Sequence, residues 1–128
     1  MNFLQSILIV GTGGFIGTVF RFLTNRLCAY YGLIAFPVAT LCVNLIGCFL
    51  FGLFAGFLDK QGLANTQLST FLIVGFCGGL TTFSTFSNEL FQMTSKGEIA
   101  LSILYLSISI ILGVVLLFAG RLLMSGMK

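Results

Sequence analysis

The residues of this chain that can do chemistry are concentrated in one stretch of its third apolar block, 75–89. Within it a pair of glycines is followed at once by four hydroxyl side chains: Gly78, Gly79, Thr81, Thr82, Ser84 and Thr85. Glycine is costly in a helix, and serine and threonine compete for backbone hydrogen bonds. Non-helical backbone inside a bilayer is tolerated only where protein buries it or where it lines a watery cavity. The stretch therefore predicts either an interrupted helix with an ion or substrate site, or a packing seam between helices.

The composition places this stretch in an integral membrane protein. Of 128 residues, 58% are hydrophobic and only 7% are charged, and the mean hydropathy is +1.13. Because a helical span needs about 20 residues, the length allows four spans and little else. We therefore predict an all-α membrane protein with a break in the third of four transmembrane helices. It is a single domain, 1–128, with spans at about 3–23, 33–58, 68–93 and 99–124.

The same composition limits the chemistry. The chain has no histidine, and its carboxylates, Asp59, Glu89 and Glu98, are far apart in the sequence. Its four cysteines form no CxxC pair, which predicts buried thiols rather than disulfides or zinc ligands. An enzyme is not expected from this set. The basic residues are scattered, so the net charge of +3 does not indicate a nucleic-acid partner.

The first two spans carry polar residues at helical spacing. Arg21 falls near the end of the first span, where it would either snorkel to the interface or form a vestibule that attracts anions. In the second span Thr40, Asn44, Gly47 and Phe51 follow i, i+4, i+7 and i+11, a single stripe. Asn44 near mid-membrane is either an interhelical hydrogen-bond clamp or part of a conduction path. Because Thr40 extends the polar line, the pattern favours the path.

The third and fourth spans add two further patterns. Phe83 and Phe86 are spaced i, i+3 and share a helix face, which predicts either packing or a lining of the hydroxyl-rich site, and Glu89 follows near the far end of the span. In the fourth span Ser102, Tyr105, Ser109 and Gly113 fall within about 80° of arc. That is typical of a helix with one wet face.

Small residues indicate where helices approach each other closely. Gly13 and Gly17 form a GxxxG pair in the first span, and Gly52 and Gly56 belong to a seam in the second.

A short polar link with Asn25 is predicted to follow the first span.

The basic residues are balanced between the two ends of the predicted spans. One end has Arg21, Arg26 and Lys96, and the other has Lys60, Arg121 and Lys128. This balance gives no orientation signal under the positive-inside rule. We therefore predict that the chain inserts both ways round, and that two opposed copies pair about an axis in the membrane plane.

Several of these motifs resemble those of one known family. The stretch Gly78-Gly-Leu-Thr-Thr-Phe-Ser-Thr-Phe86, with Glu89, resembles the signature of the Fluc (CrcB-type) fluoride channels. Shorter matches extend the resemblance over most of the chain: Gly13-Gly14-x-x-Gly17-x-x-x-Arg21, Thr40-x-x-x-Asn44-x-x-Gly47 and Tyr105-x-x-x-Ser109. The resemblance implies a channel that exports fluoride passively across the inner cell membrane. It also implies a dual-topology antiparallel homodimer with two pores, each lined by both subunits.

The resemblance also implies roles for individual residues. A structural sodium ion is expected at the dimer centre, held by backbone carbonyls of Gly78 and Thr81 at the break. The pore is expected to be lined by two phenyl rings and six polar side chains: Phe83, Phe86, Asn44, Thr40, Ser84, Thr85, Tyr105 and Ser109. Arg21 and Glu89 are expected to have vestibule or structural roles. Members often continue the fourth-span track with a further hydroxyl where this chain has Gly113, so water or a neighbouring group must supply that donor here.

The chemistry of these side chains is consistent with fluoride as the partner. Hydroxyl and amide N–H groups can replace the hydrogen bonds of a hydrated anion, whereas carboxylates cannot, and phenyl edges are positive. The alternative is a small four-span, dual-topology drug or cation exporter. Proton coupling in such an exporter needs an ionisable group near mid-membrane, but Arg21 and Glu89 lie near span ends. A purely structural assembly protein would leave the polar stripes unexplained.

Overall fold

The computed structural model describes residues 2–126, and within that range the regular structure is helical, with no strand. The elements are α1 Phe3–Tyr30, α2 Val38–Lys60, α3 Gln67–Ser69, a π-helical segment Thr70–Cys77, α4 Gly78–Leu80, α5 Ser84–Ser95 and α6 Ile99–Gly126. Four helical stretches are long and apolar enough to cross a membrane: α1, α2, the third span Gln67–Ser95, and α6. The chain is therefore a multi-pass membrane protein.

The helix ends follow from local sequence signals. At the start of α1, Asn2 Oδ1 accepts a hydrogen bond from the Gln5 backbone N–H at 2.8 Å, and Gln5 Oε1 accepts one from the Asn2 N–H at 3.2 Å. Each of the three turns contains a glycine in the left-handed region, with φ of +72°, +68° and +81° at Gly32, Gly62 and Gly97. Only glycine adopts this conformation without steric cost.

The first helix is longer than the sequence predicts. The polar link expected at Asn25 is wrong, because α1 continues to Tyr30 and the Asn25 Nδ2 group donates to the Arg21 carbonyl at 3.2 Å. No glycine or proline lies between Gly17 and Gly32, so the helix has no local signal to end earlier. The second helix begins later than expected, at Val38, with Pro37 as its N-cap.

A glycine seam brings α1 against the third span. A methyl group added at Gly13 would lie 2.5 Å from the Phe71 carbonyl oxygen, and one added at Gly79 would lie 2.5 Å from the Gly14 carbonyl oxygen. The two backbones are therefore in direct contact, and the close approach predicted from the GxxxG pair is confirmed. Gly79 is needed for this packing.

The helices α2 and α6 run parallel and in register. The residue pairs in contact are Cys48 with Gly113, Gly52 with Leu117, and Gly56 with Met124. Gly52 and Gly56 admit the neighbouring helix, so the second predicted seam is also confirmed. An ion pair between Asp59 and Arg121 joins the two helices near their last turns.

An aromatic cluster holds α5 against α6 at the opposite end. The Phe86 and Tyr105 rings meet edge to face with centroids 5.0 Å apart, and Phe36 meets Tyr105 in the same way at 5.3 Å. Such pairs contribute about 0.5–1.5 kcal/mol each beyond the burial of their area. Tyr105 is fully buried, so this cluster fixes the position of its hydroxyl group.

Candidate functional site

The third span changes conformation between α4 and α5. Gly78 has helical dihedral angles (φ −63°, ψ −37°), whereas Thr81 is extended (φ −85°, ψ 158°) and α5 begins only at Ser84. The non-helical residues are thus 81–83, in the hydroxyl run rather than at the glycine pair. We call 81–83 the extended segment.

The side chain of Asn44 satisfies the backbone of the extended segment. The Thr82 N–H donates to Asn44 Oδ1 at 2.8 Å, and Asn44 Nδ2 donates to the Thr82 carbonyl at 3.0 Å. One carboxamide on α2 therefore replaces both hydrogen bonds that a continuous helix would give Thr82. The geometry matches the interhelical clamp, and the same side chain also lines a cavity described below.

The four backbone carbonyls of residues 78–81, next to and within the extended segment, lose their usual amide partners. In an α-helix the N–H of residue i bonds the carbonyl of residue i−4. Here the Thr82 N–H bonds Asn44, and the Thr85 N–H bonds Thr82 Oγ1 at 3.3 Å. Among the described residues the carbonyls of Gly78, Leu80 and Thr81 accept no backbone hydrogen bond from residue i+4, and neither does that of Gly79. Gly78 and Thr81, the carbonyls named by the sequence resemblance, are thus two of four in this condition.

Arg21 reaches the same region from α1. Its Nε donates to the Gly79 carbonyl at 3.0 Å, in a half-buried position. The glycine seam makes this contact possible, because it lets α1 lie directly on α4. A guanidinium group therefore satisfies the backbone carbonyl that lies between those of Gly78 and Leu80.

A cavity of about 860 Å³ opens beside the extended segment, between α2, the third span and α6. Of the residues predicted to line the pore or to hold the cation, those that line the cavity are Asn44, Gly78, Thr81, Phe83, Phe86 and Ser109. The other four predicted pore residues, Thr40, Ser84, Thr85 and Tyr105, lie outside its lining. The cavity wall therefore includes the clamp and the phenyl pair.

The two phenyl rings differ in exposure. Phe86 is 6% exposed, whereas Phe83 is 80% exposed and lies at the N-cap of α5, just before the helix. Their centroids are 6.1 Å apart with an interplanar angle of 47°. Phe86 thus forms a fixed wall of the cavity, and Phe83 lies at its open side.

The Glu89 carboxylate accepts hydrogen bonds from two of the predicted pore residues. The Thr40 hydroxyl donates to Glu89 Oε1 at 2.5 Å, and the Tyr105 hydroxyl donates to Oε2 at 3.5 Å. Sequence reasoning did not bring these three side chains together. The sequence signal that could have found this cluster is Glu89 itself, because a carboxylate inside an apolar span requires donors from neighbouring helices.

Ser109 is the polar group of the cavity that lacks a protein partner. Its Oγ is buried and, among the described residues, has no hydrogen-bond partner. A buried hydroxyl left unpaired costs about 1–3 kcal/mol. Ser109 is part of the cavity wall formed by α6, and no protein group uses its donor.

The fold and the site define a four-span integral membrane protein with a largely apolar cavity, carrying a few polar groups, beside non-helical backbone in its third span. Residues 8–121 match the family described as CrcB-like protein, Camphor Resistance (CrcB). The chain belongs to this family, and the resemblance read from its motifs is confirmed.

Curated relatives match nearly the whole chain, and those described here carry the name fluoride-specific ion channel FluC. The one from Flavobacterium psychrophilum is 42% identical over 117 residues, which are 91% of this chain and 94% of the relative. The one from Azobacteroides pseudotrichonymphae is 41% identical over 120 residues, 94% of this chain and 96% of the relative. A third, from Chlorobium phaeobacteroides, is 42% identical over 115 residues, which are 90% of this chain and 89% of the relative.

The Asn44 clamp generates a prediction about stability. Asn44→Leu keeps the size of the side chain but leaves the Thr82 N–H and carbonyl unpaired, at a cost of about 1–3 kcal/mol for each group. We expect a clearly lower midpoint of thermal unfolding in detergent.

The matched control is Thr12→Ala, which removes an exposed hydroxyl that donates to the Leu8 carbonyl within its own helix. It should leave the midpoint nearly unchanged. Equal midpoints for Asn44→Leu and the parent protein would show that the clamp does not stabilise the extended segment.

Proposed function

We propose that this protein is a fluoride-selective channel that exports fluoride passively across the cell membrane. The observation that carries the proposal is the likeness over about nine-tenths of the chain to proteins named fluoride-specific ion channel FluC, 42% identical in the first case. That name is one of an ion channel, not of an enzyme. The cavity beside the extended segment is the proposed path of the ion.

The groups around the cavity suit a small, strongly hydrated anion. Ser109 offers an unpaired hydroxyl, and Asn44 Nδ2 uses one of its two N–H groups on Thr82, which leaves one for an ion. The positive edges of Phe83 and Phe86 supply weaker attraction. An anion passing the rings therefore exchanges water for donors without meeting a carboxylate in the cavity wall.

The partial charges at the ends of α5 and α4 also act on an ion in the cavity. The helix α5 begins at Ser84, immediately after Phe83, and its first N–H groups carry partial positive charge. An anion near the phenyl pair is therefore close to the positive end of a 12-residue helix. The preceding α4 ends just before Thr81, so its C-terminal end presents partial negative charge there.

We further propose that two antiparallel copies complete the channel and form two pores. Phe83 is 80% exposed and the neighbouring Ser84 is also exposed, so the extended segment of one chain would face lipid. Non-helical backbone is not tolerated against lipid and requires cover by protein or water. A second copy in the opposite orientation provides that cover and agrees with the balanced basic residues at the two ends.

A structural sodium ion is proposed where the two copies meet. The fit rests on the carbonyls of Gly78 and Thr81, whose usual amide partners bond side chains instead. Uncharged carbonyl oxygens at the ends of broken membrane helices suit a hard cation. When bound, the ion would neutralise the negative end of α4, and Arg21 would keep the Gly79 carbonyl out of the ligand set.

The drug or cation exporter is less well supported. Its coupling would need a freely titrating group in the path. Glu89 already accepts hydrogen bonds from Thr40 and Tyr105, and none of these three side chains lines the cavity. The relatives described above are also named for fluoride.

Fluoride efflux from liposomes tests the proposed function. Liposomes that contain the purified protein should release fluoride down its gradient and release chloride far more slowly. The reason is that donors in the cavity replace the hydration shell of a small anion. A fluoride electrode and a chloride electrode follow the two ions in matched vesicles. Equal rates for both anions, or fluoride accumulation driven by a pH step alone, would contradict the proposal.

The phenyl pair distinguishes an ion path from simple packing. If the rings only pack, Phe83→Ile and Phe86→Ile should cost less than about 1.5 kcal/mol and leave flux intact. If their edges contact fluoride, each substitution should reduce efflux at least about tenfold, the equivalent of roughly 1.4 kcal/mol.

The control for this pair is Phe91→Ile on α5, the helix that carries Phe86; the Phe91 ring is 71% exposed and lies outside the cavity lining. It should conduct at the parent rate. A folded double variant of Phe83 and Phe86 that also conducted at the parent rate would leave the pair as packing.

The sodium proposal is tested by replacing sodium with N-methylglucamine throughout purification and assay. Loss of a bound cation should leave carbonyls unpaired at the interface between copies, so we expect less dimer on size exclusion and slower efflux. Restoring sodium should reverse both effects. Unchanged dimer content and flux in the organic cation would count against a structural sodium ion.

A further inference from the structure

The parallel helices α2 and α6 contribute side chains to the site in matched steps of four residues. The pairs are Thr40 with Tyr105, Asn44 with Ser109, and Cys48 with Gly113. The first pair shares Glu89, the second lines the cavity from both helices, and the third is in direct contact. Each step advances by about 6 Å along the helices, since an α-helix rises 1.5 Å per residue.

The third step is asymmetric, because Gly113 has no side chain to offer. A methyl group built at Gly113 would lie 3.4 Å from Cys48 Sγ, so the thiol occupies the space next to the missing side chain. Cys48 is half-buried and lines the same cavity as Asn44 and Ser109. The donor that α6 lacks at this level is therefore replaced by a thiol from α2.

The wall formed by α6 also carries a hydroxyl without a protein partner. The Ser109 hydroxyl, one turn before Gly113 on α6, is buried and has no hydrogen-bond partner among the described residues. No protein group uses this donor, and Ser109 is part of the cavity wall. The next polar hydrogen toward Leu117 along the paired wall is the S–H of Cys48, a weak donor on a polarisable atom.

We propose that the Cys48 thiol is an anion-contacting residue of the channel, taking the place of a side chain at Gly113. This inference rests on the proposed function. After contact with Asn44 and Ser109, the fluoride ion accepts a hydrogen bond from the Cys48 thiol. A weak donor at this point holds the ion without trapping it, and conduction requires release as well as binding.

The test compares substitutions that remove, keep or relocate the donor. Cys48→Ala should lower the rate of fluoride efflux at least about fivefold, the equivalent of one net hydrogen bond. Cys48→Ser retains a donor of similar size and should stay within about twofold of the parent rate. Cys42→Ala, on the same helix but outside the cavity lining, should match the parent.

Relocating the donor separates ion contact from packing. Adding Gly113→Ser to Cys48→Ala supplies a hydroxyl from α6 and should restore most of the flux. Adding Gly113→Ala fills the same space without a donor and should restore none. Size-exclusion profile and unfolding midpoint are measured for every variant, so that a loss of folded protein is seen separately from a loss of flux.

Two results would overturn the inference while the parent protein still conducts fluoride. One is an unchanged rate for folded Cys48→Ala, and the other is equal rescue by Gly113→Ala and Gly113→Ser, which would make Cys48 a packing residue. A parent protein that moved no fluoride in the same assay would overturn the proposed function itself.

Discussion

The two hydrogen bonds between the Asn44 carboxamide and the backbone of Thr82 are the interaction on which the site depends. Backbone groups without partners are expensive at membrane depth, so the third span stays non-helical at 81–83 only if another group satisfies them. A carboxamide can do so because it carries both a donor and an acceptor. Once Thr82 is held in this way, Gly78 loses its amide partner, Phe83 turns to the open side of the cavity, and α5 starts anew beside it.

The glycine seams set the distances that this arrangement needs. Gly13 and Gly79 bring α1 onto the third span, close enough for Arg21 to bond the Gly79 carbonyl. Gly52 brings α2 onto α6, which aligns Asn44 with Ser109 across the cavity. Packing through small residues, rather than burial of large apolar side chains, is the usual way in which membrane helices associate. The seams therefore serve the site as well as the fold.

The sequence allowed the apolar spans and both seams to be predicted, because hydropathy and small-residue spacing are local signals. The length of α1 was misjudged, since polar residues such as Asn25 do not end a helix whose side chains can bond its own carbonyls. Contacts between particular side chains of different helices were harder to predict from the sequence. The Glu89 cluster with Thr40 and Tyr105 joins residues far apart in the chain, and their meeting depends on register that periodicity alone does not give.

The central claim is that the extended segment faces a second copy of this chain and a water-filled ion path, not lipid. An experimental structure of the protein in a lipid bilayer, with sodium and fluoride present, tests it most directly. The account predicts that residues 81–83 of one copy lie against an antiparallel partner, with Phe83 beside an aqueous path. Lipid acyl chains packed directly on Phe83 and on the backbone of Thr82 would contradict it.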